Sequence, residues 1–151
     1  MVKVDPARAF GIFTHGIDRW WPKSPRPGTT APVGQSIIEP FPGGRWYTRG
    51  EDGAEVGVGR VLAWEPGRRV VFRWEVDAQG RHDPSAGSEV EVNFIAAGAD
   101  TTRVELEHRN FERLGKDGGE KLRDRVEPGW TVQLDRYARE VAGNDTAGRH
   151  R

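Results

Sequence analysis

From about residue 35 to residue 110 the chain alternates apolar and charged side chains with a period of two, pausing at turn residues and then resuming. Val70, Phe72, Trp74 and Val76 alternate with Val71, Arg73, Glu75 and Asp77. Val90, Val92 and Phe94 alternate with Glu89, Glu91 and Asn93, and Thr102, Val104, Leu106 and His108 with Arg103, Glu105, Glu107 and Arg109. In a strand successive side chains face opposite sides, so each run predicts one apolar and one charged face. Earlier strands are expected at Gln35–Phe41, Arg45–Gly50 and Val56–Trp64, separated by Pro42-Gly43-Gly44 and Glu51-Asp52-Gly53. Six successive strands of this kind describe an antiparallel sheet that must be covered on one side only.

The cover comes from the C-terminal segment. Leu122, Val126, Trp130, Leu134, Tyr137 and Val141 recur every three or four residues, with Arg123, Asp124, Asp135, Arg136, Arg139 and Glu140 between them. That is an amphipathic helix, and Pro128-Gly129 predicts a kink or a fresh start within it. Beyond Val141, AGNDTAGRHR is polar, so one domain over residues 1–142 and a disordered tail over 143–151 are expected. At the other end Val2-Lys3-Val4 reads as a strand stub. Asp5 reads as a helix N-cap, with Pro6 in the first helical position. Ala9, Phe10 and Phe13 share one helix face, and after Gly16 one further turn, Ile17 to Trp21, ends at Pro22. Residues 22–33, with four prolines and Gly28, read as a loop.

Composition narrows the function. The 23 basic and 23 acidic residues cancel, which argues against nucleic acid or an anionic membrane as partner. Without cysteine there is no disulfide, thiol catalysis or thiolate metal site. No apolar run reaches membrane-spanning length and the first residues lack the apolar core of a secretory signal, so the chain reads as soluble and cytoplasmic. His15, His82, His108 and His150 are scattered without ligand spacing, so no metal site is expected. No nucleophile elbow or phosphate loop occurs, and Gly57-x-Gly59 is only a fragment of a dinucleotide motif. His82-Asp83 sits in a polar loop and reads as solvated. His108 is different: its phase points it inward, where an imidazole needs a partner. Arg60 falls in phase with Val58 and Leu62 and is also expected inward, unless a bulge at Gly57 and Gly59 flips it.

Several junctions then align with a known family. Val4-Asp5-Pro6-Ala7-Arg8-Ala9-Phe10, Trp20-Trp21-Pro22, Glu39-Pro40, Gly43-Gly44-Arg45-Trp46 and Asp52-Gly53 come first. Gly59 to Pro66, Val71 to Trp74, Thr102 to His108 and Gly129-Trp130 follow in order. Over about residues 2 to 142 the chain resembles the single-domain bacterial relatives of the activator of the HSP-90 ATPase. These belong to the SRPBCC (START-like, helix-grip) superfamily. A member begins with a full first strand, whereas only Met1 to Val4 stand here, either a trimmed start or an unusually short edge strand.

The resemblance implies an α+β helix-grip fold: a curved antiparallel sheet of six to seven strands around a long C-terminal helix, with two short helices closing one end of a cavity. It implies a binder of a small hydrophobic or amphipathic ligand, without cofactor. Trp20, Trp21, Trp46, Phe72, Trp74, Phe94, Trp130 and Leu134 would line the cavity, and His108 and Arg60 would anchor polar groups. The same side chains can instead interdigitate as ordinary core, with Trp20 and Trp21 plugging its end. Two other readings follow from the family: a cochaperone-type module acting on HSP-90 in the stress response, and a cyclase- or dehydratase-like enzyme. The enzyme needs a carboxylate such as Glu39 beside His108. Exposed edge strands also suit a homodimer.

Overall fold

The predicted alternating segments form one sheet in a computed structural model, which describes residues 1–23, 31–77, 79 and 81–149, the last six as backbone only. The strands are β1 (Val33–Ile38), β2 (Arg45–Gly50), β3 (Glu55–Glu65), β4 (Arg69–Trp74), β5 (Ser88–Gly98) and β6 (Thr101–Arg109). They pair in chain order, every neighbour antiparallel. Two short helices precede them, α1 (Pro6–Thr14) and α2 (Ile17–Trp20), and a 3₁₀ turn at Phe111–Leu114 leads into α3 (Gly115–Arg149). The sheet curls around α3, giving the α+β helix-grip architecture. Most of the loop expected over residues 22–33 lies outside the described residues.

Local chemistry places the ends. The Asp5 carboxylate accepts a hydrogen bond from the Arg8 backbone N–H at 2.8 Å, and Pro6 stands in the first turn, so α1 starts as its sequence requires. The stub before it is not a full strand. Val2 makes a two-bond bridge to Thr102 on β6 (2.8 and 2.9 Å), and the Thr102 hydroxyl donates to the Val4 carbonyl at 2.8 Å. This bridge occupies the start of the open β6 edge.

β1 stops at Ile38, short of the expected Phe41. The Glu39 carboxylate accepts from the Arg45 backbone N–H at 2.6 Å, and Gly43 and Gly44 bond Val61, so residues 39–44 fold back over β3. Phe41 is left 52% exposed.

α3 is a single element through Pro128, not two helices. Proline withholds one N–H from the helix ladder, and here the orphaned carbonyl belongs to exposed Asp124, where water can serve it. No proline follows Val141, and the backbone expected as a tail continues helical to Arg149.

The core lies between sheet and α3. Leu122, Val126, Trp130, Tyr137 and Val141 are buried on the helix, facing Trp46, Phe72, Trp74, Val90, Val92 and Phe94 on the sheet. Two of the sheet's register shifts fall on β3 and change which side chains face the core. Leu62, the extra residue of a bulge between Val61 and Ala63, points outward, 47% exposed. The bulge restores the inward phase of Trp64, which packs half-buried on Phe10. A second shift lies between Trp46 and Tyr47 on β2, opposite Gly57 to Gly59.

The outer face carries the expected charge ladder. Arg69 bridges Glu65 (2.7 Å) and Glu91 (3.1 Å), and Arg109 bridges Glu91 (2.7 Å) and Glu89 (3.4 Å). Hydrogen bonds from Arg69, Asn93 and Arg109 hold the Glu91 carboxyl down at about 2.

Candidate functional site

The two adjacent tryptophans have different fates. Trp20, the last residue of α2, is buried against Phe13 (ring centroids 5.0 Å) and Tyr137 (5.4 Å). Its indole N–H donates to the Ile12 carbonyl at 3.1 Å, and Arg136 on α3 donates to its backbone carbonyl at 2.9 Å. Trp20 therefore plugs the end of the core with its polar handle already used. Trp21, one residue past the helix, is only partly buried and lies across Trp46 (4.9 Å) and Trp130 (6.0 Å).

From Trp21 inward the rings form a continuous aromatic box, packed directly against one another. Trp46 meets Phe72 at 4.9 Å and Trp74 at 5.6 Å, and Trp74 meets Trp130 at 5.3 Å and His108 at 5.5 Å. His108 stacks on Phe111 at 4.5 Å. The expected lining residues Trp21, Trp46, Phe72, Trp74, His108 and Trp130 are thus brought together. Phe94 is not among them: it packs on Phe10 (5.3 Å) and Phe13 (5.8 Å) under α1. Leu134 is partly buried at the edge of the core.

Arg60 corrects the sequence expectation of an inward arginine. The register shift opposite Gly57 to Gly59 turns it to the outer face, exposed, where it donates to the Gly43 carbonyl at 3.3 Å. It cannot anchor a ligand in the box.

His108 does point inward, and both its ring nitrogens are engaged. The Trp130 indole N–H donates to Nδ1 at 3.1 Å, so Nδ1 must be the bare nitrogen; Nε2 then carries the proton and donates to the Ser88 hydroxyl at 2.9 Å. Burial lowers this imidazole to about 4, so it is neutral at physiological pH. Glu39, the expected acid–base partner, is tied instead to Arg45. His108 is a fixed hydrogen-bond relay from α3 to β5.

Ser88 was legible in retrospect, since it shares the inward phase of Val90 and Val92. The feature that sequence reasoning missed concerns what is left over. The indole nitrogens of Trp46 and Trp74, 0% and 6% exposed, have no hydrogen-bond acceptor among the described residues. The Ser36 hydroxyl on β1 and the Gln133 side-chain oxygen on α3 are likewise buried without a partner. Ser36 pairs in register with Thr48, two residues from Trp46 on β2, and Gln133 is three residues from Trp130. Among the described residues no group of histidines and carboxylates could hold a metal ion, and no helix is long and apolar enough to cross a membrane.

The model of the activator of Hsp90 ATPase homolog 1-like proteins matches residues 3–142. The chain belongs to this family. Two similar solved structures are each 32% identical. One is the self-sacrificing resistance protein CalC from Micromonospora echinospora, with TM-score 0.70 over 95% of this chain and 90% of that one. The other is an anthrahydroquino-gamma-pyrone synthase, with TM-score 0.62 over 91% and 90%. An AHSA1-like protein from Aeromonas hydrophila, 18% identical with TM-score 0.62 over 95% and 89%, shares the fold. Comparison with curated proteins gives no match.

Proposed function

We propose that the protein is a cytoplasmic binder of a small amphipathic molecule, flat and aromatic, seated between the sheet and α3. The observation that carries this reading is the pair of neighbouring indole N–H groups on Trp46 and Trp74, buried and without an acceptor. Each buried donor left unpaired costs about 1–3 kcal/mol. Phenylalanine would fill much of the same space at no such cost, so two tryptophans here suit an acceptor brought in from outside. Ser36 and Gln133 add a hydroxyl and a second acceptor on the opposing elements. The relative that makes an anthrahydroquino-gamma-pyrone supports a fused-ring ligand, which would stack in the box while its oxygens meet the indoles.

No residue of the box is free to act as a base, because His108 is bonded on both sides. Binding is therefore the reading the geometry favours over catalysis. A chaperone partner, which would place the protein in the stress response, is supported by the family's description. Pull-down with the chaperone separates the two readings.

The test is native mass spectrometry of gently purified protein, alone and with a panel of fused-ring quinones and hydroquinones. A bound mass that weakens about tenfold in Trp74→Phe, a variant that keeps an aromatic ring and loses the donor, is the expected result. Equal binding by both proteins, or none across the panel, contradicts the proposal.

A further inference from the structure

On the side of the sheet away from α3, a cleft of about 390 Å³ opens over β2 and β3. Its floor is Gly57 and Gly59, and Arg45, Tyr47, Arg60, Glu75 and His82 stand around it. The glycines matter for what they admit. A Cβ on Gly57 would come within 2.6 Å of His82 Nε2, and one on Gly59 within 2.1 Å of the Arg73 carbonyl oxygen. Gly57 thus lets the imidazole lie against the strand, and Gly59 lets the β4 backbone approach.

His82 is held there by a buried carboxylate. Its Nε2 is 3.0 Å from Glu75 Oε1, and Glu75 is only 7% exposed. A carboxylate can only accept, so Nε2 carries a proton, and Nδ1 has no partner among the described residues. Arg73 Nε, 3.7 Å from the other Glu75 oxygen, offsets the buried charge. Around the cleft the two lining arginines differ. Arg45 is paired with Glu55 (3.3 Å) and Glu39 (3.6 Å) and lies over the Tyr47 ring. Arg60 is exposed and bonds only the Gly43 carbonyl, with no carboxylate partner among the described residues.

We propose that this cleft is a second ligand site, on the face of the sheet away from α3, for a small planar hydroxy acid whose anionic group pairs with Arg60 and whose hydroxyl hydrogen-bonds His82 Nδ1. The imidazole laid over Gly57 offers a flat wall that selects a planar body. The oriented imidazole selects a hydrogen-bonding hydroxyl, and the unpaired guanidinium selects an anion.

The experiment follows the His82 ring nitrogens by long-range ¹H–¹⁵N NMR while 4-hydroxybenzoate, salicylate, benzoate and 4-hydroxybenzamide are added. A saturable shift at His82 is expected with the hydroxy acids. It should weaken at least tenfold with benzoate, which lacks the hydroxyl, with the neutral amide, and in Arg60→Ala. The exposed Arg60 side chain leaves the core untouched. Trp74→Phe should leave this response unchanged, so failure of the inner site and of this one are distinguishable. No response at His82 to either hydroxy acid, or a response equal in Arg60→Ala, overturns the proposal.

Discussion

Acidification should weaken the fold through His108, and the size of the effect follows from its surroundings. The unfolded chain takes up a proton at the ordinary histidine value of about 6.5, whereas burial holds the folded imidazole down at about 4. The group therefore contributes its full stability above about pH 6.5. That contribution declines as the unfolded state gains the proton first, and reaches its floor near pH 4, where the folded state also protonates. The difference corresponds to about 3 kcal/mol at roughly 1.4 kcal/mol per pH unit. The local geometry acts in the same sense: a proton on Nδ1 would face the Trp130 indole N–H, donor against donor. Urea titrations at half-unit steps between pH 7 and pH 4 measure it directly. His108→Gln supplies an oxygen for Trp130 and an N–H for Ser88 but no titratable ring, so its stability should be flatter over this window. Glu91 does not confound the result at the upper end, because its own contribution is lost lower, between about 4.5 and about 2. Identical pH profiles for the two proteins would refute the reasoning.

Other outcomes follow from single contacts. The buried Tyr137 hydroxyl donates to the Ala9 carbonyl at 2.7 Å and ties α3 to α1, so Tyr137→Phe should cost about 1–2 kcal/mol in urea unfolding. Asp5→Ala removes the α1 cap and should cost about 1 kcal/mol, with faster amide exchange at Arg8. Gly59→Ala forces a Cβ onto the Arg73 backbone oxygen, which cannot swing aside, and should destabilise by about 2 kcal/mol or more. Gly57→Ala meets a side chain instead, and should displace His82 from Glu75, visible as a changed His82 ring spectrum.

How far the sequence foretold this molecule depends on whether the information was local. Period-two alternation placed all six strands within a few residues, because each face is decided within its own segment. The ends that shifted were set by partners far along the chain. β1 stops at Ile38 because residues 39–44 bond β3, and nothing within Gln35–Phe41 announces that. Arg60 was misplaced for a related reason: one extra residue opposite Trp46 and Tyr47 flips every later phase until the next bulge. The inward aim of His108 was legible from Val104 and Leu106. Its role was not, since Ser88 and Trp130 reach it across 20 and 22 residues. Trp20 and Trp21 look equivalent in the sequence and differ only because α2 ends between them. Glu75 shows the converse limit: it alternates outward with Arg73, yet His82 and Arg73 close over it.

The most direct test of the binding account is the set of indole resonances of ¹⁵N-labelled protein, titrated with naphthoquinone- and anthraquinone-class probes. The account predicts a saturable downfield movement of the Trp46 and Trp74 N–H signals as they gain an acceptor. The Trp20 and Trp130 signals, already bonded to Ile12 and His108, should move little. Silent Trp46 and Trp74 signals throughout the titration, or uniform movement of all the indoles, would contradict it.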